Sequence, residues 1–164
     1  MPHIIFASSD KPPPQTPKIV ISSYQMVHRL RADVLRRAWG LVLLDESHCL
    51  RTKGMSRSEA SQTCTIVKLL GVVARVVLLS GTPSPTRPLD LFLQCQALRP
   101  GLLGRDKLDF IRSYCHVNRR PFFKVGRSKR AHELNLLLRT HVMIRRLKQE
   151  VIAPPFSSAL LAVL

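Results

Sequence analysis

The sequence predicts an α/β chain with an open parallel sheet and helices on both faces, and three observations predict it. Three short runs are aliphatic or β-branched without polar alternation, as in parallel strands covered on both sides: Lys18-Ile19-Val20-Ile21-Ser22, Gly40-Leu41-Val42-Leu43-Leu44 and Arg75-Val76-Val77-Leu78-Leu79. Helix-compatible stretches separate them, as crossover connections require. The second and third runs end abruptly in polar tetrads, Asp45-Glu46-Ser47-His48 and Ser80-Gly81-Thr82-Pro83. The carboxyl ends of the strands are where ligand chemistry gathers in such sheets.

Each element follows from its neighbours. Ile4 to Ala7 is a short apolar run closed by polar residues, and Pro12-Pro13-Pro14-Gln15-Thr16-Pro17 is a loop, because that many prolines cannot continue a helix or a central strand. Helix is expected over about 24–38, 58–70, 89–98 and 105–115. Beyond Cys115 the chain turns basic, through Arg119-Arg120-Pro121 and 124–130, and a helix over about 131–140 leads to Val142-Met143-Ile144-Arg145-Arg146-Leu147-Lys148. The expected organisation is a first body over 1–115, a basic, mostly helical extension over 116–152, and an apolar tail over 153–164.

Composition narrows the classes of function. With 164 residues, 45% of them hydrophobic, the chain is long enough for one domain with a buried core. Lys and Arg number 26 against 10 acidic residues, a formal charge of +16, which favours a polyanionic partner because cations that neutralise phosphates release condensed counterions. A merely soluble basic protein has the same excess, so charge alone does not decide. Cys49, Cys64, Cys95 and Cys115 form no C-x-x-C and sit beside no paired histidines, which argues against zinc and for a reduced, intracellular chain. No signal peptide or membrane span is expected, since the longest apolar runs, including Ala159 to Leu164, are too short.

The two tetrads carry the chemistry. Adjacent carboxylates at the end of an apolar strand, Asp45 and Glu46, are costly unless a cation lies opposite. In phosphoryl-transfer sites that cation is Mg²⁺, one carboxylate holding its water shell and the neighbour orienting the attacking water. A strand-ending turn that caps a helix accounts for the same residues. His48 could relay between nucleotide and nucleic-acid sites, although lone histidines are more often packing or surface residues. Gly81 allows a turn that other residues resist, and the hydroxyls of Ser80 and Thr82 could bond the carboxylates of the neighbouring strand end. A plain turn is the alternative there too.

V-L-L-D-E-S-H-C-L-R (42–51) followed by V-V-L-L-S-G-T-P-S (76–84) resembles motifs II and III of superfamily-two motor ATPases, with the Swi/Snf-type group the best match. I-V-I-S-S-Y-Q-M-V (19–27) resembles that group's DNA-contact element of the first lobe. Arg87-Pro88 through Phe92, and Leu98-Arg99-Pro100-Gly101, resemble the helix and loop after motif III, and V-M-I-R-R-L-K-Q-E-V (142–151) the segment leading to the second lobe. The resemblance covers about 1–152. D-E-S-H in place of D-E-A-H, with Ser113-Tyr114-Cys115 and R-R-L-K, is similar to the fork-remodelling, strand-annealing translocases, some of whose relatives carry an HNH nuclease.

What the resemblance implies is a partial RecA-like lobe of a motor that, when intact, binds ATP and Mg²⁺ and acts on DNA, forked or branched, in the nucleus, with weak or absent nucleotide binding by this chain alone. It implies that Asp45 holds Mg²⁺ through water, that Glu46 activates the hydrolytic water, and that His48 belongs to the nucleotide site. Ser80, Gly81 and Thr82 would couple nucleotide state to the DNA track, and Ser22, Ser23 and Tyr24 would lie near the DNA backbone. Arg145 and Arg146 would pair with acidic or phosphate groups near the lobe boundary, solvated surface charge being the alternative.

The sequence contains no G-x-x-x-x-G-K-S/T and no Gly-Lys pair, so the loop that cradles the β and γ phosphates is not in it. A chain without that loop and the second lobe is expected not to turn over ATP, and to expose apolar surface and an unpaired strand edge where the lobe's first strand and helix would sit. The tail over 153–164 departs from the family's proline-containing polar link, as an incomplete gene model, retained non-coding sequence or a short isoform would. Two other classes stay open: a non-catalytic basic module binding nucleic acid or a partner, and an RNA helicase lobe.

Overall fold

The computed structural model describes residues 3–5, 10, 18–52, 61–82, 87–118 and 124–146. The chain divides into two compact units, Met1–Ala131 and His132–Leu164. The proline-rich residues 12–17, residues 53–60 with the first positions of the helix expected over 58–70, Pro83 and the 153–164 tail lie outside the described residues.

Parallel pairing is present, but among the described residues it forms two short sheets and not one: the run 18–22 pairs with residues 3–5, and the runs 40–44 and 75–79 pair with each other. Strand β1 (His3–Ile5) pairs parallel with β2 (Val20–Ser22), His3 opposite Val20 and Ile5 opposite Ser22. Strand β3 (Val42–Leu44) pairs parallel with β4 (Val76–Leu78), Val42 opposite Val76 and Leu44 opposite Leu78. The ladder of the second pair runs past the strand ends, because Leu79 N donates to Leu44 O at 2.8 Å and Ser47 N donates to Leu79 O at 2.9 Å. Those two bonds lay the start of one polar tetrad across the start of the other.

Helices pack one face of the β3–β4 pair. Leu44, Leu50, Ile66 and Leu70 form its buried cluster, with Tyr24, Val27, Val42, Val76, Leu78 and Ala97 against it. Ile66 and Leu70 come from α3 (Ser61–Val72), Tyr24 and Val27 from α1 (Tyr24–Arg29), and Ala97 from a helix described below. The alternate residues of the strands are bare: Leu44 is 7% exposed and Leu43 is 63% exposed, and Leu41, Val77 and Leu79 share Leu43's condition. The expectation of helices on both faces is therefore met on one face only among the described residues. Unbroken aliphatic runs fit both-sided burial, but they do not by themselves supply the second layer.

The single helix expected over 24–38 is two, α1 and α2 (Arg31–Arg36), cornered at Leu30. Leu30 closes the first, its N–H donating to Met26 O at 2.9 Å, and opens the second, its carbonyl accepting from Val34 N at 3.0 Å. No Gly or Pro marks the corner. Past α2, Trp39 Nε1 donates to Val34 O at 2.8 Å and satisfies one of the helix's last carbonyls.

After β4, a 3₁₀ turn (Pro88–Leu91) leads into α4 (Phe92–Leu98), which supplies Ala97, and then α5 (Lys107–Tyr114). Two left-handed glycines, Gly101 at φ 82° and Gly104 at φ 115°, turn the chain between α4 and α5. At Gly104 a Cβ would stand 3.0 Å from the Asp109 Cβ, so the position has neither the backbone nor the room for a side chain.

Among its described residues, the basic segment beyond Cys115 is strand as well as helix. It opens as an antiparallel ribbon, β5 (Cys115–Asn118) with β6 (Lys124–Ser128), before the helix α6 (Ala131–His141). The first compact unit thus runs on through the ribbon. No described helix is long and apolar enough to cross a membrane.

Candidate functional site

Asp45-Glu46-Ser47-His48 folds as a tight turn from β3 into a 3₁₀ turn (Ser47–Cys49). Asp45 and Glu46 are exposed at the strand end, and Asp45 Oδ1 accepts the Glu46 N–H at 2.8 Å. Glu46 has φ 48° and ψ 44°, the only left-handed non-glycine backbone among the described residues. A side chain there costs about 1 kcal/mol, and such costs concentrate at functional sites.

His48 joins the two tetrads. Its Nδ1 lies 3.0 Å from Glu46 Oε2 and 3.3 Å from Ser80 Oγ. A carboxylate can only accept, so Nδ1 carries the proton and donates toward Glu46. Ser80 Oγ in turn accepts the Thr82 N–H at 3.2 Å. Direct bonds from Ser80 and Thr82 to the carboxylates were the sequence expectation. The imidazole stands between them instead, making a path Glu46–His48–Ser80–Thr82.

Gly81 does not use the backbone freedom expected of it. Its φ is not left-handed, and a Cβ would meet nothing within 4 Å. The bond from Thr82 N to the Ser80 hydroxyl closes the turn, so it needs no glycine.

The predicted DNA-contact residues divide in two. Ser22 ends β2, its hydroxyl donating to Ser23 O at 3.4 Å, and Ser23 caps α1, its Oγ accepting from Met26 N at 3.3 Å. Tyr24 turns inward: its hydroxyl donates to Asp45 O at 2.6 Å while its ring packs on the Leu44 cluster. Tyr24 therefore braces the backbone that presents Asp45 and Glu46. Burial, reinforced by Cys49, Asp45 and Glu46, pushes the phenol up to about 12 from an ordinary 10. A raised folded value means the native state holds its proton more tightly. Tyr24's contribution is therefore whole below pH 10 and is lost as pH rises from 10 through 12. Denaturant midpoints measured across that window should fall in the wild type, and should fall less steeply in Tyr24→Phe.

Ser47, the third residue of the tetrad, is buried, and its hydroxyl donates to Gln94 Oε1 of α4 at 3.2 Å. Gln94, itself buried, donates from Nε2 to Asp90 O at 3.2 Å. Sequence reading missed Gln94. The available signal was a glutamine within the apolar helix Phe92-Leu93-Gln94-Cys95, since a buried amide needs a polar partner. Ser47→Ala should destabilise the chain by about 1–3 kcal/mol, because it takes the hydroxyl donor from the buried Gln94 amide, and Ser47→Thr, which keeps a hydroxyl, should lose less. Chemical denaturation of the two variants checks this.

A second tie holds α1 to α3. Thr65 Oγ1 donates to Ser61 O at 3.1 Å, so it accepts from His28 Nδ1 at 2.8 Å, and His28 Nε2 accepts from Ser61 Oγ at 3.2 Å. Among the buried cysteines, burial pushes Cys95 up to about 12 and Cys115 up to about 11, which leaves both as unreactive thiols. Arg145 and Arg146 are exposed. No group of three or more His, Cys, Asp or Glu among the described residues could hold a metal ion.

Residues 8–161 match the SNF2-related domain. The chain is 35% identical over 136 residues, 82% of its length, to the SWI/SNF-related matrix-associated actin-dependent regulator of chromatin subfamily A-like protein 1 of Drosophila melanogaster, covering 17% of that protein. It is 39% identical over 114 residues to the Xenopus tropicalis protein of the same name, 69% of the chain and 12% of the relative. It is 34% identical over 122 residues to the DNA annealing helicase and endonuclease ZRANB3 of Homo sapiens, 70% of the chain and 11% of that protein. The chain thus spans less than a fifth of the length of these relatives. By both the domain match and these relatives, the chain belongs to the SNF2-related family of helicase-like proteins, near its annealing-helicase branch.

Proposed function

We propose that the chain is a portion of the first motor lobe of an ATP-dependent DNA translocase of the strand-annealing kind, carrying motifs II and III, and that it does not hydrolyse ATP by itself. The observation that carries this reading is the path from Glu46 through His48 to Ser80 and Thr82, which ties a carboxylate pair at one strand end to a hydroxyl turn at the next. Under this reading Asp45 holds Mg²⁺ through water and Glu46 orients the attacking water. Movement of Glu46 then reaches the Ser80–Thr82 turn through the imidazole, and Tyr24 fixes the Asp45 backbone so that the carboxylates keep their place.

What supports an ion at this place is the exposed carboxylate of Asp45 at the strand end, since a magnesium ion that keeps several waters needs only one or two protein carboxylates beside phosphate oxygens. Bound there, Mg²⁺ would neutralise charge on the transferring phosphoryl group. The sequence has no phosphate loop, and positioning and charge neutralisation make up nearly all of this catalysis. That is why the chain alone is expected to be silent.

The substrate of the reading is DNA, forked or branched, and the place is the nucleus. Fluorescence anisotropy of the purified chain against forked DNA, linear duplex and RNA of equal length tests it. Salt-sensitive binding with forked DNA tightest is the expected result. Equal or tighter binding to RNA would favour an RNA helicase lobe, and binding to none would remove nucleic acid from the account.

A further inference from the structure

We infer that the β5–β6 ribbon is a second contact surface for a DNA backbone, in addition to the strand-end residues Ser22 and Ser23; this rests on the DNA reading above. The ribbon is built as a one-sided object. Cys115 and Val125 are each 3% exposed, and Lys129 N donates to Tyr114 O at 2.8 Å. Tyr114 in turn lies 5.4 Å from Phe110, and Phe110 lies 5.6 Å from Phe92, centroid to centroid. An aromatic stack thus anchors the start of the ribbon, and His116, Asn118, Arg127, Lys129 and Arg130 are left exposed.

The bulge matters to that presentation. Val117 pairs with Val125 but Cys115 pairs with Ser128, so His116 faces both Gly126 and Arg127. An unbroken ladder would point Arg127 to the same side as buried Val125. The extra residue turns Arg127 outward instead and carries Ser128 inward, where its hydroxyl is buried without a partner. Accepting that orphaned hydroxyl is a cost, and what it yields is an exposed guanidinium.

Charge identifies the partner. The described residues of the ribbon and of the turn after it, 115–118 and 124–130, include Lys124, Arg127, Lys129 and Arg130 and no Asp or Glu. Arg127 and Lys129 make no ion pair with a described residue. The acids of neighbouring α5 are engaged within their own helix: Asp109 pairs with Arg105 at 3.1 Å and Arg112 at 3.8 Å, and Asp106 caps the helix. Arg127 and Lys129 are two residues apart, roughly 6.8 Å of extended chain. Neighbouring phosphates on one DNA strand, about 3.4 Å apart along the axis but also rotated about it, stand a similar roughly 7 Å apart through space. A row of unneutralised cations at that spacing fits a phosphate backbone, and it carries no sequence preference.

The test is the salt dependence of DNA binding by the full chain. Arg127→Gln with Lys129→Gln should lower the slope of log K against log salt by about 1.8, two phosphate contacts at about 0.9 each. Both residues are exposed, so the thermal melt should not move. A matched pair, Lys68→Gln with Arg75→Gln, removes the same charge from α3 and from the amino end of β4, and should leave the slope unchanged. An unchanged slope in the ribbon variant, or an equal fall in the matched pair, would overturn the ribbon as a contact surface while the DNA reading stands. Wild-type chain that shows no salt-sensitive DNA binding overturns the DNA reading itself, and this inference with it.

Discussion

Replacing Arg87 with alanine should destabilise the first compact unit by about 3 kcal/mol, more than replacing its partner Asp90 does. Arg87 caps the Pro88–Leu91 turn and Asp90 is its third residue. Arg87 N donates to Asp90 Oδ2 and the guanidinium donates to Oδ1, each at 3.1 Å. Asp90 is 0% exposed, whereas the Arg87 side chain is 36% exposed. Losing the guanidinium takes a charged donor from a carboxylate held in the interior, although the backbone donor survives. Losing Asp90 costs a helix-start acceptor, about 1–2 kcal/mol, but the freed guanidinium can turn to water. The double variant should therefore be more stable than Arg87→Ala alone. Urea midpoints of the three variants decide it, and a larger loss in Asp90→Ala than in Arg87→Ala would contradict the account. The effect should reach the site, because Asp90 O holds Gln94 and Gln94 holds Ser47.

The second large effect is expected at Phe110, which is 0% exposed and lies between Phe92 and Tyr114. Phe110→Ala should cost about 3–5 kcal/mol, the transfer term plus the cavity left between two rings that cannot close on each other. Phe110→Leu keeps most of the volume and should lose much less. Because Tyr114 O receives the Lys129 N–H, loosening this stack should also loosen the ribbon. Amide exchange at Lys129 reports on it: protection should fall in Phe110→Ala well before the unit unfolds globally. Retained protection would mean the ribbon is held by its own ladder alone.

Much of the fold was legible because aliphatic runs announce strands whatever surrounds them. β2, β3 and β4 lie within the runs 18–22, 40–44 and 75–79, each trimmed to three residues. What a run does not announce is which faces are covered, and Leu43 beside Leu44 shows the limit. The ribbon was not legible because its bulge breaks the period of two. Arg127 and Ser128 sit out of step with Val125, and the segment reads only as basic. The corner at Leu30 has no breaker residue to declare it.

The candidate site was legible by residue type and less so by connection. Asp45, Glu46, His48 and Ser80 stand together at adjoining strand ends, as their positions after aliphatic runs implied. The bonds that organise them join residues far apart in sequence. Tyr24 reaches Asp45 across 21 positions, and Ser47 reaches Gln94 across 47. Local pattern contains neither. The left-handed backbone at Glu46 was equally hidden, since glutamate gives no hint of it and the turn is imposed by Ser47 N reaching Leu79 O. Gly81 misled for the opposite reason: a glycine in a turn suggests freedom that this turn does not use.

The measurement that bears most directly on the central claim is magnesium-dependent ATP hydrolysis, with and without forked DNA. It should be made on the chain alone and on a motor of an annealing-helicase relative in which this chain's residues 18–118 replace the matching stretch. The account predicts no turnover by the chain alone, DNA-stimulated turnover by the chimera, and loss of at least about two orders of magnitude in the chimera on Glu46→Gln, the scale of a positioned proton-transfer group. DNA-stimulated turnover by the chain alone, or a chimera whose rate Glu46→Gln leaves intact, would contradict it.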